Sequence, residues 1–338
     1  MKNTSFANSV PVFFLGVDVG KSDLFCHILQ LDVNFSERFD NNEPGISKLI
    51  SWLKSKTLLD QTIACLEQTG HYSKPLAKAL FSLGLYGVHV VNPRCIKAFA
   101  NRRLRRNKSD KADARLIAQF VLAEHADLQP WCPQLPENEQ LTELSRYVDS
   151  ITSDIAKLKT RSESVTNPFI LKSLKRRILS MTKELTSLRL KITNLIKSHP
   201  TIRVQHALLR SIPGIGEITA QTLLAELPDI KQFQDARQLA AWAGLTPRHF
   251  SSGTSGRATT PISKIGSGHL RQALFLPSMT ARTNNPLLKA FADRLLSNGK
   301  KPKQIIIAIM RKLLHQVYGI LSSGEPYNPD ILGSQPSN

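Results

Sequence analysis

The chain has 338 residues, 41% of them hydrophobic, enough for two or three domains with cores of their own. Lys and Arg total 45 against 26 Asp and Glu, a formal net charge of +19 that argues against an ordinary metabolic enzyme and for a polyanionic partner, nucleic acid ahead of an anionic membrane surface. Four scattered cysteines, Cys26, Cys65, Cys95 and Cys132, form no CxxC pair. This argues against zinc or a disulfide framework and suits a reducing cytoplasm. No uninterrupted apolar run reaches the ~18 residues of a membrane span, and no basic-then-apolar signal pattern opens the chain, so a cytoplasmic, DNA-associated protein without membrane contact is expected.

Val12 to Val19 is a short apolar run broken by one acid and followed by Gly20, the pattern of a buried strand ending at Asp18. Leu24 to Leu31 and Asn34 to Phe39 read as antiparallel neighbours. Ile46, Leu49, Ile50 and Leu53 have helical spacing. Thr62 to Leu66 is another strand, running into Glu67 ahead of Gly70. Leu76, Leu80 and Leu83 mark a helix, and Val88 to Val91 a last strand closed by Asn92-Pro93. Three strands, helix, strand, helix, strand, helix is the order of the α/β ribonuclease-H-like (RuvC-like) fold, expected over residues 10–128.

Asn101 to Glu124 then joins a dense basic cluster, Arg102, Arg103, Arg105, Arg106, Lys108, Lys111 and Arg115, to Asp110 and Asp113, one helical turn apart and on one face. The cluster reads as a solvated helix face or, given its density, as phosphate-backbone contacts blind to sequence. Taken singly, each acid has an ordinary reading. Asp18 suits a solvated strand edge, Glu67 a lysine partner, Asp110 a helix cap, and Asp113 a favourable place on the helix dipole. Together, at strand ends and in the helix that follows, four carboxylates repel one another unless a cation is present. Mg²⁺ takes hard oxygen ligands and keeps places open for phosphate oxygens, and a pair of such ions stabilises both oxygens of a phosphoryl transfer.

Gln129 to Asn138 holds three prolines and reads as a linker. Heptad spacing follows in Leu141, Leu144, Val148, Ile151, Ile155 and Leu158, breaks at Asn167-Pro168, and resumes in Leu171, Leu174, Ile178, Met181, Leu185, Leu188, Ile192 and Leu195. Two coiled-coil helices are expected over residues 138–198, folded on each other as a hairpin or paired between subunits.

A mainly α-helical domain is expected over residues 205–325. Leu208 to Leu227 resembles a helix-hairpin-helix element, in which Gly214 and Gly216 permit a tight turn whose N–H groups approach phosphate; the alternative is plain helix packing. Phe233 to Leu245 reads as a helix ended by Gly244. The Ser/Gly loop Ser251 to Gly256 is flanked by Arg248, Arg257, Lys264 and Arg271, and Asp293 is the only acid between Arg248 and Lys312. A serine in such surroundings can attack a phosphodiester once its proton is removed. Pro302 to Ile320 reads as a helix closing this domain, and residues 326–338 as a disordered tail.

G-V-D-V-G-K, C-L-E-Q-T-G and N-K-S-D-K-A-D-A-R-L-I-A resemble the three acidic motifs of the DEDD-type insertion-sequence transposases, a family that includes pilin-gene inverting recombinases and transposases guided by a bridge RNA. The resemblance puts the four acids, metal ligands in that family, on Asp18, Glu67, Asp110 and Asp113. The segments P-R-H-F-S-S-G, I-S-K-I-G and H-L-R resemble the family's transposase domain and place its nucleophilic serine at Ser252, ahead of Ser251 or Ser255. This implies Mg²⁺, two ions, a covalent phosphoserine link to cleaved DNA, donor and target DNA, a structured guide RNA, and a homo-oligomer, dimer or tetramer. Holliday-junction resolvases share the acidic motifs alone. Two other readings therefore stand beside this one: a metal nuclease or resolvase with water as nucleophile, and a non-catalytic nucleic-acid binding protein.

Overall fold

A computed structural model describes residues 12–30, 33–102, 109–247 and 261–330. The chain divides into two compact units, Met1–Pro133 and Gln134–Asn338.

Unit 1 is built on a five-stranded sheet of β1 (Phe13–Val19), β2 (Asp23–Leu29), β3 (Asn34–Asp40), β4 (Thr62–Glu67) and β5 (Gly87–Val91). The order is β3-β2-β1-β4-β5, with β1–β2 and β2–β3 antiparallel and β1–β4 and β4–β5 parallel. This mixed sheet is the one the ribonuclease-H-like expectation required. Among the described residues four α-helices accompany it: α1 (Glu43–Lys56), α2 (Lys74–Ser82), α3 (Pro93–Arg102) and α4 (Asp110–Glu124). The separate helix α3 is absent from the sequence reading, which stopped at Asn92-Pro93; Pro93 opens it, because a first-turn proline loses no hydrogen bond.

Side chains alternate across a strand, and the sheet carries a core on each face. Leu15, Val17, Leu24, Cys26, Ile28 and Leu66 join Leu49 and Leu53 of α1 and Leu76 and Leu80 of α2 on one face. Phe14, Ile63, Cys65 and Val91 join Ile96 and Phe99 of α3 and Ile117, Phe120 and Val121 of α4 on the other. Asp18 has the parity of Phe14, and Glu67 that of Ile63 and Cys65. The strand pattern alone therefore puts both acids on the α4 side.

Unit 2 is helical: α5 (Pro136–Ser164), α6 (Pro168–Ser198), α7 (Pro200–Arg210), α8 (Glu217–Glu226), α9 (Ala236–Trp242), α10 (Gly268–Asn284), α11 (Pro286–Ser297) and α12 (Pro302–Ser323). Three residues join α5 to α6, and the two pack on each other, with Val148, Ile151 and Ile155 of α5 and Leu188 and Ile192 of α6 buried in one core. Of the two arrangements the heptads allowed, the hairpin within one chain is present. Its residues share one core with Leu209, Leu223, Leu274, Ile309 and Leu313 of the later helices, so hairpin and C-terminal helices are one body. The helix expected from Phe233 starts only at Ala236, because Asp235 caps it, accepting from the Gln238 N–H at 2.7 Å. Among the described residues α12 alone is long and apolar enough to cross a membrane, yet Ile305, Ile309, Leu313, Leu314 and Val317 are fully buried as the centre of this unit.

His315 on α12 is held at about 4, first by burial and then by the cations Lys312 and Arg311, with Asp235 opposing. Its folded pKa lies below the unfolded value of about 6.5. Between these values the unfolded chain binds more protons, so stability is full above pH 6.5 and falls as pH drops towards 4. The melting temperature of the protein is expected to decline over this interval, and less steeply in His315→Leu; parallel profiles would remove His315 as a cause.

Candidate active site

α4 begins at the cap Ser109, whose Oγ accepts from the Ala112 N–H at 3.3 Å. The capping role open to Asp110 is thus taken by its neighbour, and Asp110 and Asp113 both occupy the first turn. From there α4 crosses β1 at very short range. A Cβ on Gly16 would lie 2.3 Å from both the Ala114 carbonyl oxygen and the Ala118 amide nitrogen. Only glycine on the strand, facing alanines on the helix, allows that approach. It brings the first turn of α4 over the end of β1.

The result is a cluster. Asp18, Asp110 and Asp113 each offer a carboxylate oxygen within 4.8 Å of the others, with Asp18 and Asp113 half-buried and Asp110 exposed. Glu67 stands outside this trio. The parallel register Val17↔Leu66 nevertheless carries it to the same end of the sheet, beside Asp18 and on the same face. Three carboxylates in this space fit a hard divalent cation.

Replacing Gly16 by Ala puts a methyl group against backbone that cannot rotate away. A loss of about 3 kcal/mol is expected, read as a lower urea midpoint for the full chain. An unchanged midpoint would show that α4 can stand further off without cost.

His27 of β2 is paired with Gly16 and buried beneath α4; its Nδ1 lies 2.7 Å from Ser36 Oγ. Burial first, then the cations Arg115 and Lys111, hold it below the ordinary histidine range. This places the exposed Lys111 and Arg115, both expected to meet nucleic acid, on the β2 side of α4.

The other basic candidates divide. Arg102 pairs with Glu124 at 3.5 Å and stacks over Phe99. Arg103, Arg105, Arg106, Lys108, Arg248, Arg257 and the serine candidate Ser252 lie outside the described residues. In unit 2, Arg271 has structural work: its Nη1 donates to the carbonyls of Ala243 and Gly266 at 3.0 and 3.1 Å. Lys264 is exposed at φ 54, its N–H bonded to the Gly244 carbonyl. Gly214, at φ +104, is explained by packing, since a Cβ there would lie 2.6 Å from Ala281 Cβ on α10; Gly216 faces open space. The start of α10 is tied down by its cap Ser267, whose Oγ donates to the buried Glu226, itself paired with Arg146 at 2.9 Å.

Two family models cover most of the chain. One described as "Transposase", of DEDD type, matches residues 15–168, and one described as "Transposase IS116/IS110/IS902 family" matches residues 206–293. The pilin gene-inverting protein of Moraxella lacunata is 32% identical over 320 residues, 94% of this chain and 98% of its own. A putative transposase of Sinorhizobium fredii is 26% identical over 93% of this chain and 85% of its own. A solved structure, T. thermophilus RuvC in complex with Holliday junction substrate, overlaps 36% of this chain and 99% of that one at TM-score 0.28 and 13% identity. That overlap is too weak to carry the fold, which rests on the strand order instead. With similarity running end to end and a transposase model on each half, the chain belongs to the IS110 family of transposases and is a DNA transposase.

Proposed function

We propose that this transposase cleaves DNA at the acid cluster with Mg²⁺ and rejoins it through a covalent link to Ser252. The observation that carries the first half is the convergence of Asp18, Asp110 and Asp113 within 4.8 Å. These three, with Glu67 at the neighbouring strand end, would hold the metal, which when bound neutralises charge on the phosphate and on the departing oxygen. Ser252 Oγ makes the new P–O bond as a bridging P–O bond of the strand breaks, and the serine proton ends on the released hydroxyl. The phosphoserine link keeps the bond energy for rejoining to a second strand. Support for Ser252 is its place in P-R-H-F-S-S-G, within a segment covered by the second transposase model.

A structured guide RNA is part of this reading through the family resemblance; the net charge of +19 supports a polyanion without telling RNA from DNA. A homo-oligomer is part of this reading through the same family resemblance. The test is to incubate the protein with DNA carrying the element's ends, the RNA and Mg²⁺, and to look for DNA that stays on the protein after denaturation. A covalent adduct supports the reading; free cut ends alone leave water as the nucleophile and end it.

A further inference from the structure

We infer that Arg38, on the edge strand β3, grips a backbone phosphate of the DNA strand lying at the acid cluster, next to the phosphate the acids serve. This rests on the reading of that cluster as the cleavage centre. The antiparallel registers Asp18↔Phe25 and Phe25↔Arg38 set these three residues in one row across β1, β2 and β3, on the face that α4 covers. Two strand spacings, about 10 Å, separate the ends of the row, a gap that a long arginine side chain narrows. The Arg38 guanidinium feels the carboxylate of Asp110, so it lies on the side of the first turn of α4.

That side chain is held in place. Nε and Nη2 both donate to Asp23 Oδ1, the first at 3.0 Å, and the guanidinium carbon sits 5.5 Å from the Phe25 ring centre. Hydrogen bonds from Ser22 and Arg38 hold Asp23 below the usual carboxylate range, so the pair is ionised. The arginine is nevertheless 63% exposed, and Nη1 has no hydrogen-bond partner among the described residues. A fork pinned along one edge and open along the other is poised for a phosphate oxygen.

The surroundings suit a strand of nucleic acid. The opposite face of β3 packs Phe35 and Phe39 towards α1, whereas Ser36, Arg38 and Asp40 are exposed. Lys111 and Arg115 border the same side of α4, so Arg38 extends a rim of positive charge across the sheet edge. Asp40 is the opposing charge on this shelf. As a surface ion pair alone, Arg38–Asp23 would add little to stability.

The experiment uses the full chain, a labelled DNA duplex, and Ca²⁺ in place of Mg²⁺ to hold cleavage off. Arg38→Gln is expected to weaken binding several-fold and to reduce the slope of log affinity against log salt by about 0.9, the loss of one phosphate contact, with the melting temperature unchanged. Arg38→Lys keeps the charge and restores the slope. A folded Arg38→Gln or Arg38→Lys protein in which affinity and slope equal wild type under Gln, or slope stays reduced under Lys, overturns the proposal. So does a lowered melting temperature with an unchanged slope, which assigns the pair to the sheet alone. Asp113→Asn and Asp18→Asn, tested alongside in Mg²⁺, separate the two readings: if both cut at the wild-type rate, the cleavage-centre reading fails, independently of what the salt slopes say about Arg38.

Discussion

Asp113→Asn is expected to lower metal-dependent strand cleavage by about two to three orders of magnitude, the scale on which losing one preorganised electrostatic group affects a reaction, while DNA binding largely survives. The substitution keeps shape and removes charge. Ser109 still caps α4, and the lost dipole interaction at the first turn is worth about 0.3–1 kcal/mol. A deep loss of cleavage in a folded protein therefore reports on the site. Asp18→Asn should behave alike, since it supplies the strand side of the same trio. Both variants are read by gel cleavage and by binding in parallel, and wild-type cleavage in both would refute the metal assignment. Glu67→Gln is the informative companion: an equal loss places Glu67 among the ligands although it stands outside the trio.

Ser252→Ala is expected to abolish the covalent protein–DNA adduct entirely and strand rejoining with it. Alanine removes only the Oγ, so folding and DNA affinity should stay at wild-type levels, and the denatured-gel shift of protein-bound DNA is the direct readout. Ser251→Ala and Ser255→Ala serve as controls at neighbouring positions. If Ser252→Ala still cuts and the adduct persists, another group carries the bond; if it cuts with no adduct in any protein, water is the nucleophile.

Much of unit 1 was legible because its signals are local. Strand alternation and the turn residues after them placed Asp18 and Glu67 at strand ends, and the spacing of Asp110 and Asp113 put them on one helix face. What escaped depends on partners distant in the chain. Gly16 sits inside a strand, where an isolated glycine is a hint of close backbone approach; that hint gained meaning only once Ala114 and Ala118 were found above it. Arg38 needed two strand registers to be seen in one row with Asp18. The packing of Gly214 against α10 and the bonds of Arg271 to Ala243 and Gly266 are likewise tertiary facts that the local sequence does not carry. Asp235 could have corrected the start of α9, since an Asp ahead of a helix is a local signal that the apolar reading from Phe233 overrode.

The narrow crossing at Gly16 also sets when the trio can exist. Asp110 follows Asp18 by about ninety residues along the chain. Until α4 has been made and has settled onto β1, the early carboxylate stands without the other two. Closing so long a loop is entropically costly, and a first helical turn resting on the sheet is among the elements able to lift off before the sheet itself melts. A chain whose α4 has not yet settled, or has lifted away, therefore holds Asp18 without the other two carboxylates and lacks the trio.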